Sequence, residues 1–257
     1  MDLFRSLDDA EGLGLALSRQ GWLLARKGQL GAASIAFSDA LAVLRGARTS
    51  KAMGIYWANV AFLHKCKGDA AEARACYERA IVLHREAGAD RAVMVSIGSL
   101  ADIAWAQGDL QGSATALRQN IELLRRVSPR SGSLGLCLCR LSGVLTEQGK
   151  LAEALVAARE GLPLRREAGF TWGAMDHFAL RVALAGNIAN AARLAGYADA
   201  AFEKRQLPRQ PNEARARVHV RRLLAEGLSE RELEALRAQG AALGEDCLLY
   251  TSDAADE

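Results

Sequence analysis

The chain has 257 residues with a formal net charge of +3, and 50% of its residues are apolar while 25% are charged. Such a chain can bury a core, and its small net charge gives no argument by itself for binding nucleic acid. No apolar run approaches the roughly 20 residues needed to cross a bilayer, and the acidic start MDLFRSLDDAEG is unlike a signal peptide. We therefore expect a cytoplasmic protein without a membrane partner. Alanine and leucine are frequent and proline occurs four times, which favours helix.

A glycine recurs along the first two hundred residues at spacings of 40, 40, 41 and 37. The recurring glycines are Gly28, Gly68, Gly108, Gly149 and Gly186. A small residue follows each glycine five positions later, at Ala33, Ala73, Ser113, Ala154 and Ala191. Another precedes it by seven, at Gly21, Ala61, Ala101, Ser142 and Ala179. Because paired helices approach closely only where their contact faces are small, this register predicts five antiparallel helix pairs with glycine turns.

Prolines interrupt the pattern toward the C-terminus. Pro163 falls near the end of the fourth copy's second helix, where it predicts a kink or a stop. Pro208 and Pro211 punctuate a loop after the fifth copy. We therefore divide the chain into a repeat array at residues 1–205 and C-terminal capping helices at residues 206–246.

The capping segment carries its own helix signals. Residues 212–226 form one predicted helix, and Ser229 with Glu232 predicts a capping box for another that ends at Gly240. The last residues, CLLYTSDAADE, break the helical pattern, and their reverse translation matches a common transposase sequencing adapter. We expect residues 247–257 to be a non-native tail, which would make the chain a fragment.

The five copies resemble the tetratricopeptide repeat (TPR), with its pattern large-x2-large-small-x2-large, turn, small-x3-aromatic-x2-small. The resemblance covers roughly residues 10–200. It implies an all-α, right-handed solenoid of antiparallel helix pairs. Two features depart from the family pattern: the period is about 40 rather than about 34, and the usual proline after the second helix is absent.

A second resemblance concerns the segment NAARLAGYADAAFEKRQLPRQPNEARARV at residues 190–218. It is similar to the end of the repeat arrays in bacterial multidomain regulators, which carry a winged-helix or LuxR-type DNA-binding module and a signal-transducing ATPase. This resemblance implies a partner-binding or effector-sensing array of such a regulator. Its partners would include the neighbouring ATPase and DNA-binding domains. The alternative is a stand-alone TPR adaptor.

Residues with catalytic potential do not form a recognisable motif. The four histidines lack HExxH spacing, no GxSxG elbow occurs, and the five cysteines lack CxxC spacing. We expect no enzyme activity, no catalytic residue, no cofactor and no metal, with the cysteines as buried thiols in a reducing compartment.

Residues 204–222 hold seven basic side chains: Lys204, Arg205, Arg209, Arg215, Arg217, Arg221 and Arg222. They could contact phosphates, which makes nucleic-acid binding through this segment a further alternative. No aromatic residue is interleaved for base stacking. We favour a solvated helix face or a docking surface for another domain.

In a stack of this type, the first helix of each pair lines the concave side. The positions predicted to face that groove place aromatic anchors beside charged residues, an arrangement typical of interfaces. The predicted groove residues are Trp22, Asn59, Phe62, Lys65, Asp102, Trp105, Arg140 and Asp176. We expect them to bind a protein or peptide, or else a small effector. The alternative is that the aromatic residues only pack against the next helix.

Overall fold

The computed structural model describes residues 9–47 and 49–244, and within these ranges every regular element is a helix. This confirms the all-α prediction, whereas the predicted tail at residues 247–257 lies outside the described residues. A 3₁₀ turn at Thr171–Ala174 precedes α9. The helices are α1 (Ala10–Arg26), α2 (Leu30–Ala47), α3 (Ser50–Lys67), α4 (Ala70–Glu86), α5 (Asp90–Ala106), α6 (Leu110–Val127), α7 (Gly132–Glu147), α8 (Leu151–Glu167), α9 (Met175–Leu184), α10 (Ile188–Arg205), α11 (Pro211–Gly227) and α12 (Glu230–Ala241).

The chain divides into two compact units, the first ending at Ile103 and the second beginning at Ala104, within α5. In the first unit, α1 packs against α2 and α3 packs against α4, while α1 and α3 also contact each other. In the second unit, α7 contacts α6, α8 and α9, and α10 contacts α9 and α12. The predicted array boundary coincides with the end of α10 at Arg205, but α11 and α12 pack closely on α9 and α10.

The small residues of the repeat register are buried, as predicted. Ala33, Ala73, Ser113, Ala154 and Ala191 are all 0% exposed. At the partner positions, Ala61, Ala101, Ser142 and Ala179 are buried in the same way, and so is Gly21. A Cβ added to Gly21 would lie only 2.9 Å from the Phe37 ring. Close contact between the helices of a pair therefore depends on the missing or short side chains at these positions.

The turn glycines end the first helix of each pair in the left-handed region. Their φ angles are 75° at Gly28, 85° at Gly68, 87° at Gly108, 76° at Gly149 and 90° at Gly186. Glycine reaches this region without steric cost, so a turn of two to three residues suffices to reverse the chain. The predicted glycine turns are confirmed at all five positions.

The prediction that Pro163 stops α8 is wrong, because the helix continues to Glu167. A proline near a helix end removes only one donor, and the remaining turn keeps its other hydrogen bonds. Gly240 does not end α12, which continues to Ala241. A Cβ on Gly240 would clash with the backbone of Arg193, so this glycine lets α12 approach α10 closely.

The capping predictions agree with the structure. The helix predicted at residues 212–226 is α11, at Pro211–Gly227. Ser229 and Glu232 form a reciprocal capping box, in which the Ser229 N–H donates to Glu232 Oε2 at 3.0 Å.

In the described ranges, no helix combines the length and apolar character that a membrane span requires.

Substituting a close-contact alanine with leucine tests the register. Ala73→Leu places three extra carbons where no space exists, so we expect it to lower the free energy of unfolding by about 1–3 kcal/mol. Ala75→Leu, at an exposed position of the same helix, should change it by less than about 0.5 kcal/mol. Thermal and urea denaturation followed by circular dichroism measure both. Equal stability of the two variants would contradict the assigned contact.

Candidate functional site

Five of the eight predicted groove residues lie together in the first unit. The rings of Trp22 and Phe62 are 5.9 Å apart between centroids. Lys65 Nζ lies 5.1 Å from the Phe62 centroid and 3.4 Å from Asp102 Oδ2. Asn59 lies on the same helix as Phe62 and Lys65. We call these five residues the first-helix face, since they belong to α1, α3 and α5.

Helical spacing accounts for the arrangement on α3. Asn59, Phe62 and Lys65 are three residues apart, so their side chains follow one stripe of the helix. Asn59 Nδ2 donates to Ser18 Oγ at 3.0 Å, and Ser18 is fully buried in α1. This hydrogen bond sets the position of α3 beside α1 and brings Phe62 next to Trp22.

Two arginines that the sequence reasoning missed cover the Trp22 ring. The Arg19 and Arg26 guanidinium carbons lie 4.4 and 4.9 Å from its centroid. They stand three residues before and four residues after Trp22, which is the spacing of neighbours on a helix. Lys65 is the third cation beside the aromatic pair, and it is itself paired with the buried Asp102. Cations over a ring face gain electrostatic attraction while keeping contact with water.

Two predicted groove residues lie in the interior of the second unit instead. Trp105 is 1% exposed, and its ring is 4.7 Å from that of His177. A Cβ on Gly143 would overlap the Trp105 ring, so the absence of a side chain there makes room for the indole. The prediction that Trp105 and Asp176 face an open groove is therefore wrong for this structure, and so is that for Asp102 in the first unit, which is 7% exposed. Arg140, in α7, is half-buried.

Asp176 belongs to a cluster of ion pairs that sequence reasoning did not find. Its carboxylate is 1% exposed and accepts from Arg209 Nε at 2.7 Å. Asp199, on α10, accepts from Arg209 at 2.8 Å, from Arg217 Nε at 2.8 Å and from Arg237 at 2.6 Å. One carboxylate thereby connects α10 to the loop after it, to α11 and to α12.

The two carboxyl groups of this cluster titrate in opposite directions. Burial raises the pKa of Asp176, and the hydrogen bond from Arg209 opposes that shift. Burial also acts to raise the pKa of Asp199, but the hydrogen bonds and charges of its arginines outweigh it and lower the pKa below the ordinary value. The folded chain thus stabilises the ionised form of Asp199.

The cluster also shows where much of the basic segment lies. Arg209 and Arg217 pair with the cluster carboxylates, and Arg215 pairs with Glu147 at 3.1 Å. The Arg205 guanidinium lies 5.1 Å from the Trp172 centroid. Four of the seven basic residues therefore make contacts inside the second unit. The preference for a solvated helix face does not hold for Arg217, which is 4% exposed.

The cysteines of the described chain are unbridged. Cys137 and Cys139 are buried, whereas Cys66 and Cys76 are half-buried. Burial raises the pKa of the Cys139 thiol to about 12, which keeps it protonated and unreactive at neutral pH. The prediction of buried thiols is confirmed for this pair, and Cys247 lies outside the described residues.

Comparison with protein-family models finds no match for the chain, and comparison with curated proteins finds no match for its sequence. The likeness to TPR proteins therefore depends on the register of small residues and glycine turns.

Trp105→Ala tests the interior placement of this side chain. Because the indole is enclosed, we expect the free energy of unfolding to fall by about 3–5 kcal/mol. Trp22→Ala, at a half-buried position, should cost clearly less. Urea denaturation of both variants measures the difference, and a Trp105→Ala protein as stable as the parent would show that the indole is not part of the core.

Asp199→Asn tests the ion-pair cluster. The substitution leaves three guanidinium groups beside a neutral amide, and removing one partner of a buried pair costs about 3–5 kcal/mol. Since the Asp199 side chain is 22% exposed, we expect the lower end of that range. Glu153→Gln breaks an exposed pair with Arg118 and should cost about 0–1 kcal/mol.

The pH dependence gives a second readout of the same variant. The pKa of Asp199 is lower in the fold than its ordinary value of 3.8, so its stabilisation is present above that value and is lost as the pH falls below it. The stability difference between the parent and Asp199→Asn should therefore close on acidification. A difference that stays constant with pH would contradict the assignment.

Proposed function

We propose that this chain is a non-catalytic interaction module, a TPR-like right-handed solenoid whose first-helix face binds an acidic peptide segment of a partner protein. The observation that carries the proposal is the connected set of Trp22, Phe62 and Lys65, joined to Asp102. The two rings are in contact, half-buried and surrounded by cations.

The composition of the face favours a peptide over other partners. Tryptophan and arginine are enriched among the residues that dominate binding energy at interfaces. A half-buried ring can exclude further water when a partner's apolar side chain covers it. Arg19, Arg26 and Lys65 outnumber Asp102, so the local charge favours a partner segment that carries carboxylates.

The repeat register supports the solenoid part of the proposal. Helix pairs with the same small-residue contact and the same glycine turn can be stacked with a constant offset, and stacking presents the first helices side by side. The first helices α1 and α3 contact each other in one unit, as α7 and α9 do in the other.

The resemblance of residues 190–218 to the ends of regulator arrays supports a bacterial signal-transducing transcriptional regulator as the parent protein. In that setting, partner binding to the array would be communicated to an ATPase and a DNA-binding domain. A stand-alone adaptor is the competing proposal. The genomic reading frame around the gene separates the two, because an ATPase coding sequence in the same frame is expected only for the regulator.

Ion pairs within the second unit argue against nucleic-acid binding through residues 204–222. Arg209, Arg215 and Arg217 make ion pairs within the second unit. Using these arginines to hold phosphates would break contacts that connect α11 to α7 and α10, and the loop after α10 to α9.

A peptide-binding measurement tests the proposed function. A short fluorescein-labelled peptide with one leucine between glutamates should bind saturably in fluorescence anisotropy, and its lysine counterpart should bind far more weakly. Trp22→Ala should weaken binding of the acidic peptide by about tenfold or more. The affinity should also fall with added salt, since exposed charges are screened.

Leu23→Ala is the matched control, because Leu23 neighbours Trp22 on α1 and is 46% exposed. It should bind the acidic peptide as the parent does, and melting curves of both variants should show that the fold is kept. Equal affinities for the acidic and basic peptides, or equal affinities of the two variants, would contradict the proposal.

A further inference from the structure

A cavity of about 600 Å³ lies in the first unit, between α3, the end of α4 and the start of α5. Its volume falls within the range of about 300–1,000 Å³ that is usual for small-molecule sites. The apolar lining consists of Ile55, Ala58 and Val95, and the polar lining includes Asn59, His84 and Ser96. Val95 is 42% exposed, so the cavity opens to solvent and a ligand can enter it.

His84 is the unusual member of this lining. It is 3% exposed, yet its Nδ1 is buried without a hydrogen-bond partner among the described residues. A Cβ on Gly54 would lie 2.7 Å from this nitrogen, so the glycine on α3 makes room for the imidazole. Leaving a buried polar atom unsatisfied costs about 1–3 kcal/mol. The nitrogen faces Gly54 rather than the open space, so His84 contributes the rest of its ring to the cavity wall.

The other polar groups of the lining are partly engaged. Asn59 Nδ2 donates to Ser18 Oγ at 3.0 Å, and Ser96 Oγ donates to the Ala92 carbonyl at 3.0 Å. Each keeps acceptor capacity on its oxygen. The cavity therefore offers a few polar contacts on otherwise apolar walls, which is the usual composition of a small-molecule site.

The charges of the lining favour a neutral ligand. Asp90 and Arg91 both line the cavity, and their formal charges sum to zero. Burial lowers the pKa of His84, so its imidazole is neutral near pH 7 and adds no charge to the lining. Among the described residues lining the cavity, no uncompensated charge remains that would select an anion or a cation.

We propose that the cavity between α3, α4 and α5 binds a small neutral molecule with an apolar body and a hydroxyl, carbonyl or amide group that hydrogen-bonds to the polar lining. This site would make the first unit an effector-binding unit as well as a peptide-binding one. The cavity shares Asn59 with the first-helix face, but Val95 and His84, on which its test depends, are not part of that face.

The neutral naphthalene ketone prodan is a suitable probe, since it joins an apolar ring system to one carbonyl and its emission shifts to the blue in an apolar site. We expect saturable binding of prodan to the parent protein. Val95→Glu puts a charge on the cavity wall and should weaken binding by about tenfold or more. Val82→Glu, at a position 53% exposed and outside the cavity lining, should bind as the parent does.

The position of the probe is read from the imidazole signals in a long-range ¹H–¹⁵N NMR spectrum, with His84→Gln identifying the His84 signals. Prodan should move these signals and leave those of His64, His177 and His219 unchanged. Both glutamate variants replace exposed side chains, so the comparison does not depend on whether His84→Gln folds.

Three outcomes overturn the inference. They are the absence of saturable binding, equal affinities of Val95→Glu and Val82→Glu, and unmoved His84 signals. Tighter binding of the anionic anilinonaphthalene sulfonate at the same site would overturn the assignment of a neutral ligand. The acidic-peptide measurement decides the proposed function separately, so failure of one leaves the other standing.

Discussion

The close approach of two helix backbones within each pair is the constraint on which this fold depends. Fully buried small residues such as Ala33 and Ala73 occur where the helices touch, and a glycine turn keeps the helices next to each other. Because only small side chains fit between the two helices of a pair, the large side chains lie to either side of this contact. There they fill the core or, like Trp22 and Phe62, reach the surface of the first helices. Packing inside a pair thus determines which large side chains reach the surface.

The two units use arginine in different environments. In the first unit, Arg19 and Arg26 lie over the Trp22 ring, where their charges stay hydrated and can meet a partner. In the second unit, Arg209 and Arg217 are drawn to buried or half-buried carboxylates. A charge taken out of water needs a partner of opposite sign and full hydrogen bonding. The same residue type therefore belongs to the proposed binding surface in one unit and to internal ion pairs in the other.

Most of the fold could be predicted because its signal is local and repeated. The glycine turns, the buried alanines and the capping box of Ser229 each follow from short-range geometry that sequence spacing reports. The first-helix face followed from the same register. Trp105 was misplaced because its burial depends on the absence of a side chain at Gly143 and on the His177 ring, both distant in sequence. The ion pairs of Asp199 were missed for the same reason, since nothing in a single sequence says which arginine reaches which carboxylate.

Asp199 is shared by Arg209, Arg217 and Arg237. The cluster should therefore tolerate substitution of one arginine better than substitution of the aspartate. If one of these arginines is replaced by a neutral residue during evolution, the Asp199 carboxylate still has two donors, and the local excess of positive charge decreases. If Asp199 is replaced, all three guanidinium groups lose the counter-ion that they share and repel one another. Among descendants of this chain, we therefore expect the arginines to vary one at a time around an aspartate that does not.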